Sequence, residues 1–179
     1  MEPFELRPIL EAIIYVAEEP VKPEKLQELL PEFSVDQIEA ALAEMAEEFN
    51  SRPGGMMIRN VAGGYRMTTR PEHHEYIRAY LKSRPSAKLS LAALETLAVI
   101  AYRQPVTLAE ILAIRGKKST SALQTLLEKK LVSIVGRKPV VGRPILYGTS
   151  KEFLLHFGLK DLSELPTLEE FAQMAGDQL

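Results

Sequence analysis

The stretch LSLAALETLAVIAYRQPVTLAEI, starting at Leu89, leaves the chain few ways to fold. Leu94, Leu97, Ala98 and Ala101 recur at helical spacing and predict one apolar helix face. Ser90 stands where an N-cap would satisfy a free backbone N–H. Pro105 stops this helix, because its ring disfavours an α-conformation at Gln104. Thr107 and Glu110 then have capping-box spacing, so a second helix starts at once. Ser119 caps a third, whose core face is Leu123, Leu126, Leu127 and Leu131. Val132 to Val135 reads as a strand. GRPILYGT, from Gly142, reads as a glycine-bounded loop and a returning strand over Ile145 to Thr149. Three helical segments and a two-stranded wing make a winged-helix pattern.

The first half repeats this order. Ile9, Ile13, Val16 and Ala17 mark an amphipathic helix from Leu6 to Ala17, and Pro20 closes it. Pro23 suits the first position of a second helix, where its missing N–H is not needed. Ser34 with Gln37 is another capping box, opening a helix with Ile38, Ala41, Leu42, Met45 and Phe49 on one face. Arg52-Pro53-Gly54-Gly55 breaks it. Met56 to Val61 predicts a strand, Gly63-Gly64 a tight turn, and Tyr65 to Thr69 the return. Leu10-Glu11 aligns with Leu94-Glu95, and Pro20-Val21 with Pro105-Val106 after one inserted residue. A period of about 84 residues is too long for a solenoid unit, which points to two copies of one small domain.

The expected fold class is therefore mostly α with small β-hairpins (α+β), as two tandem winged-helix domains. The first spans 1–82, a Pro- and Ser-containing linker 83–88, the second 89–160 and a tail 161–179. Pro71 to Tyr80 predicts a helix leading into the linker. Phe153, Leu154 and Phe157 pack a short helix onto the second core, and Leu159 to Leu165 is a loop; for the last residues two readings stay open, a short helix capped by Thr167 with Glu170 and a fraying, partly disordered tail.

Composition excludes several chemistries. With no cysteine there is no disulfide framework and no thiolate nucleophile or ligand. The acidic N-terminal stretch lacks the basic n-region of a secretory signal. Gly116-Lys117-Lys118-Ser119 resembles a phosphate loop, but Ile111 stands where that motif needs Gly, and a helix precedes it instead of a strand. His73-His74-Glu75 lacks the two-histidine zinc spacing, and His156, between Leu155 and Phe157, reads as a structural or half-exposed histidine. No cofactor, metal or catalytic constellation is expected.

The net charge of −2 hides an asymmetry. Residues 1–50 hold 13 acidic and 3 basic side chains, whereas 115–143 hold 8 basic and 1 acidic. The third helix of the first half carries Asp36, Glu39, Glu44, Glu47 and Glu48 and no cation, so phosphate would repel it. In the second half Lys117, Lys118, Lys129, Lys130, Arg137, Lys138 and Arg143 bracket the third helix and the wing. Three readings stay open there: a solvated basic surface, a dock for an acidic protein segment, and weak DNA contact, for which Lys117, Lys118, Arg137 and Lys138 are the candidates.

The blocks AGGYRMTTRPE from Ala62, ALETLAVIAYRQPVTLAEI from Ala93, Arg115-Gly116, GRK from Gly136, GRPILYGTS, and FGL from Phe157 follow one another in order. In them the chain resembles the segregation and condensation protein B (ScpB) family, non-enzymatic subunits of bacterial condensin-like complexes. Two departures alter local surface chemistry. Lys117-Lys118-Ser119-Thr120 replaces an apolar residue and a nearby acidic one, and Val141 stands where Pro commonly precedes GRP.

The resemblance implies a cytoplasmic, nucleoid-associated homodimer joined through its first domain. It also implies binding to the kleisin ScpA, which bridges the SMC ATPase heads, in chromosome condensation and segregation. Candidates for ScpA binding are Arg115, Gly116, Arg143, Pro144, Tyr147 and Thr149, with a helical partner segment laid in a groove of the second domain. Gly142, Pro144 and Gly148 equally suit shaping the wing, and Tyr147 equally suits the core. Candidates for the dimer interface are Phe4, Leu6, Leu10, Ile14 and Tyr15; Leu10 and Ile14 fall off the predicted core stripe of their helix. The competing class is a winged-helix DNA-binding regulator using the basic second domain.

Overall fold

The computed structural model describes residues 3–81, 89–116 and 119–167. It is helix-rich with small antiparallel sheets, as expected, and divides into two units. One comprises 1–84 with 158–179, the other 85–157.

In the first unit, α1 (Pro3–Val16), α2 (Pro23–Leu29) and α3 (Val35–Ser51) precede a hairpin of β1 (Met56–Val61) and β2 (Gly64–Thr69). The Ser34–Gln37 capping box forms in both directions, with Gln37 N–H on Ser34 Oγ at 3.2 Å and Ser34 N–H on Gln37 Oε1 at 2.9 Å. The core joins Leu6, Leu10 and Ile14 of α1 to Leu26, Ile38, Leu42, Met45, Ile58 and Tyr65. This corrects the predicted stripe: Val16 is exposed, Ile9 and Ile13 are half-buried, and Leu10 and Ile14 are central. Because α1 is apolar on nearly every side, its sequence period leaves the inward phase ambiguous.

The hairpin turn also differs from expectation. Ala62 (φ 52°) and Gly63 (φ 73°) occupy the two left-handed positions that a two-residue hairpin needs. Gly64 instead begins β2, where an added Cβ would lie 2.9 Å from the Pro20 carbonyl carbon. That closeness lets Val21 and Tyr65 exchange backbone hydrogen bonds of 2.8 Å each way. Asn50 at the end of α3 acts as a further strand partner, its amide giving to and taking from Ile58 at 2.8 Å each. Arg70 donates to the Asn50 and Arg52 carbonyls at 2.7 and 2.9 Å, satisfying α3's otherwise open C-terminus.

After a 3₁₀ turn at Pro71–His73, α4 (His74–Leu81) closes this stretch with no buried residue. The second unit holds α5 (Leu91–Arg103), β3 (Val106–Thr107), α6 (Leu108–Arg115), α7 (Ser119–Glu128), β4 (Val132–Arg137), β5 (Ile145–Thr149) and α8 (Lys151–Phe157). Its sheet runs β3–β5–β4, antiparallel throughout. Ser90 caps α5, and Thr107 with Glu110 forms the expected capping box at α6. The Gln104–Pro105 peptide is cis.

Val106 pairs with Tyr147 as Val21 pairs with Tyr65, so the repeat holds at Pro20-Val21 and Pro105-Val106. It does not hold at Leu10 and Leu94, since Leu10 is fully buried and Leu94 is exposed. The inward face of α5 is Ala93, Thr96, Leu97 and Ile100, which corrects the predicted Leu94 and Ala98.

The second unit ends at Phe157 rather than at 160. Residues 158–164 belong with the first unit's hairpin: Ala62 N–H donates to Leu159 O (2.8 Å), Gly63 N–H to Lys160 O (3.1 Å), and Arg59 Nη2 to Gly158 O (2.8 Å). The expected loop there contains a 3₁₀ turn at Leu162–Glu164. The linker 83–88 and the Thr167–Glu170 helix start lie outside the described residues, wholly and in part respectively.

Candidate functional site

Four of the six candidate partner-binding residues are engaged in holding the second unit together. Gln104 ends α5, where its Nε2 donates to Ala101 O (3.0 Å). Its Oε1 accepts from Thr149 N–H (2.8 Å) and Thr149 Oγ1 (3.1 Å), fastening β5 to the helix end. Tyr147, two residues earlier, is a core residue. Arg115 at the end of α6 pairs with Glu95 of α5. Gly116 (φ 80°, ψ 178°) takes a positive-φ conformation open to glycine that ends α6, and its carbonyl accepts from Ser119 Oγ at 2.8 Å.

Arg143 and Pro144 lie instead on the loop between β4 and β5, where Arg143 is exposed and Pro144 half-buried. Arg143 N–H donates to Val140 O (2.9 Å), closing a turn in which Arg143 itself is left-handed (φ 40°). Lys138 N–H donates to Pro144 O (2.9 Å), and Arg137 Nη1 to Arg143 O (3.2 Å). The turn presents Val140 and Val141, both exposed, an apolar tip that the charge count of this region had obscured.

The basic surface is less available than its sequence implies. Lys138 Nζ lies 2.7 Å from Glu110 Oε1. That ammonium, with the Thr107 N–H and hydroxyl, pulls the Glu110 carboxyl down to about 2. Lys138 thus already has a carboxylate partner within the unit, while its side chain stays 43% exposed. Lys117 and Lys118 lie outside the described residues. The helix that would enter a groove, α7, reads STSALQTLLE and contains no cation. Arg137 stays exposed.

In the first unit, the expected dimer residues Leu6, Leu10 and Ile14 are core, so they are not free to meet a partner. The reason is the phase of α1 described above. Phe4 lies in α1, with its side chain outside what the structure describes. Tyr15 is exposed, beside exposed Val16. A stronger apolar feature is α4, which sequence reasoning placed only as a connection. Tyr76 and Tyr80 are 78% and 84% exposed, and Leu81 is exposed beside them. These three share one side of the helix with half-buried Ile77. An eight-residue helix with an uncovered apolar side has little stability of its own in water.

Among the described residues no cluster of three or more His, Cys, Asp or Glu is placed to hold a metal ion. No helix among them is long and apolar enough to cross a membrane.

The model of the family described as segregation and condensation complex subunit ScpB matches residues 8–168. The segregation and condensation protein B of Syntrophotalea carbinolica is 47% identical over 174 residues, 97% of this chain and 87% of the relative. That of Desulforamulus reducens is 50% identical over 163 residues, 90% and 88% of the two chains. Among solved structures, ScpB from Mycobacterium tuberculosis is 36% identical and covers 89% of this chain and 98% of its own, with a TM-score of 0.42. The chain belongs to the ScpB family.

Proposed function

We propose that the chain is a pair of tandem winged-helix units acting as a non-enzymatic adaptor in a bacterial SMC complex. Two copies join through the first unit and bind the kleisin ScpA through the second. ScpA connects them to SMC, which supplies the ATPase chemistry. The assembly works on the nucleoid in the cytoplasm, in chromosome condensation and segregation during cell division.

Family membership supports the complex. The observation that carries the adaptor mechanism is the apolar surface left uncovered on each unit: Tyr76, Tyr80 and Leu81 on α4, and Ile134, Val135, Val140 and Val141 around the β4–β5 loop. Uncovered apolar surface of this kind marks a place where another protein sits. For the dimer, α4 and Tyr15 take over the role first expected of Leu6, Leu10 and Ile14. For the partner, Arg143 and Pro144 are the contact residues, and Arg115, Gly116, Tyr147 and Thr149 keep the surface in shape.

Co-expression with ScpA tests this reading: a co-purified complex with two copies of this chain per ScpA supports it, and separate elution of the two proteins contradicts it. The DNA-regulator reading rests on exposed Lys129, Lys130, Arg137 and Arg143. It predicts duplex binding that falls steeply as salt rises. The absence of any cation from α7 weighs against it.

A further inference from the structure

Strand β4 is an outer strand of its sheet. Bonded and non-bonded pairs alternate along an antiparallel ladder, which fixes the direction of each backbone group. Ser150 N–H donates to Leu131 O (3.2 Å), whereas Thr149 N–H turns the other way, to Gln104 (2.8 Å). Val132 faces Thr149 and Ile134 faces Tyr147. The N–H and C=O of Ile134 therefore point away from β5, toward the open edge. The register then shifts between Ile134 and Gly136, leaving Val135 as an irregularity. Ile134 and Val135 are 60% and 52% exposed, and the apolar tip of Val140 and Val141 follows.

The charge around this edge has one sign. Residues 129–143 include five basic side chains and no acidic one. Lys138 is held by Glu110. Among the described residues, Lys129, Lys130, Arg137 and Arg143 have no carboxylate partner and stand on exposed positions. Edge strands are commonly protected by charges pointing along the strand, but here the exposed strand residues Ile134 and Val135 are apolar and the cations flank them.

We propose that β4 takes an extended acidic segment of a protein partner as an added strand. Main-chain bonds form at Ile134. Apolar side chains of the segment rest on Ile134 and Val135, and its carboxylates lie toward Arg137 and Arg143. This rests on the adaptor reading and specifies where and in what conformation the second unit holds ScpA: as a strand on an edge, not a helix in a groove. Duplex DNA suits the surface poorly, since Val140 and Val141 offer nothing to phosphate at the tip.

The test uses the full chain and full-length ScpA from the same genome. Two variants probe the edge. Ile134→Pro removes an outward N–H that the β4–β5 ladder does not use. Val141→Glu places a negative charge on the exposed tip, where the fold is indifferent to it. The proposal predicts slowed amide exchange at Ile134 on adding ScpA. It also predicts that each variant weakens ScpA binding by about ten-fold or more, a loss in the range of a binding hot spot. Should Ile134→Pro fail to fold, Val141→Glu and the exchange measurement decide alone.

Wild-type binding of ScpA with unchanged exchange at Ile134 and full affinity in Val141→Glu overturns the strand proposal and leaves the adaptor reading standing. Absence of wild-type binding overturns both. Salt-sensitive duplex binding that is lost in Arg137→Ala and Arg143→Ala, with Ile134 exchange indifferent to ScpA, overturns it in favour of nucleic acid.

Discussion

Gln104 and Thr149 are joined by two hydrogen bonds to a single oxygen: Gln104 Oε1 accepts both the Thr149 N–H and its hydroxyl. One side chain at the end of α5 thus fixes where β5 ends, on the strand that carries Tyr147 and follows the β4–β5 loop. A Cβ at Gly148 would lie 2.9 Å from that same oxygen and from a Val135 methyl carbon, so a side chain there would displace one of them.

Gln104→Ala leaves the half-buried Thr149 N–H without its acceptor. A loss of about 1–3 kcal/mol is expected in the unfolding of the second unit. Thr149→Val removes only the hydroxyl bond and should cost less. Urea titration followed by far-ultraviolet circular dichroism compares the two variants with wild type. Equal stability of wild type and Gln104→Ala would show that the lock contributes nothing.

Glu110 gives a pH signature. Its folded carboxyl is lowered to about 2 from an ordinary value of 4.5, by Lys138 first and then by the Thr107 groups. A lowered carboxyl contributes stability above its unfolded value, and loses it as pH falls through the folded one. The contribution of this group therefore fades between about pH 4.5 and 2. Carboxyl-carbon NMR titration should place Glu110 near the lower figure, and nearer the ordinary value in Lys138→Ala. An unshifted midpoint in that variant would exclude Lys138 as the chief cause.

Ile14 and Leu10 separate core from interface. Both are enclosed by the first unit's own α3 and hairpin. Leu10→Ala should cost about 2–5 kcal/mol, and Ile14→Asp should unfold the first unit outright. Circular dichroism checks this. A folded, monomeric Ile14→Asp would return the residue to the dimer interface.

Tyr80 on α4 carries the dimer proposal for the first unit. Tyr80→Glu changes a side chain that is 84% exposed, so the fold should be kept. Sedimentation should show the dimer constant weakened by about ten-fold or more, as for a buried aromatic anchor. An unchanged constant would move the interface elsewhere, with Tyr15 the next residue to alter.

What could be read from the sequence was mostly local. Ser34–Gln37 and Thr107–Glu110 were legible because a capping box is written within four residues. Pro20-Val21 and Pro105-Val106 disclosed the repeat, because each brings a valine to pair with a tyrosine of its hairpin. Helix phase was not legible: α1 and α5 are apolar almost all round, so Leu10 and Leu94 looked alike while only Leu10 is inside. The Lys138–Glu110 pair and the return of Gly158–Lys160 to Arg59 and the Ala62–Gly63 turn depend on residues far apart in the chain, which no local pattern announces.

The most direct measurement is size-exclusion chromatography with light scattering, on the protein alone and mixed with ScpA. A mass of twice the 20.0 kDa of one chain is expected for the protein alone, shifting to two copies plus one ScpA in the mixture. A monomer whose elution ScpA leaves unchanged, and which binds duplex DNA with a steep salt dependence, would contradict the adaptor reading.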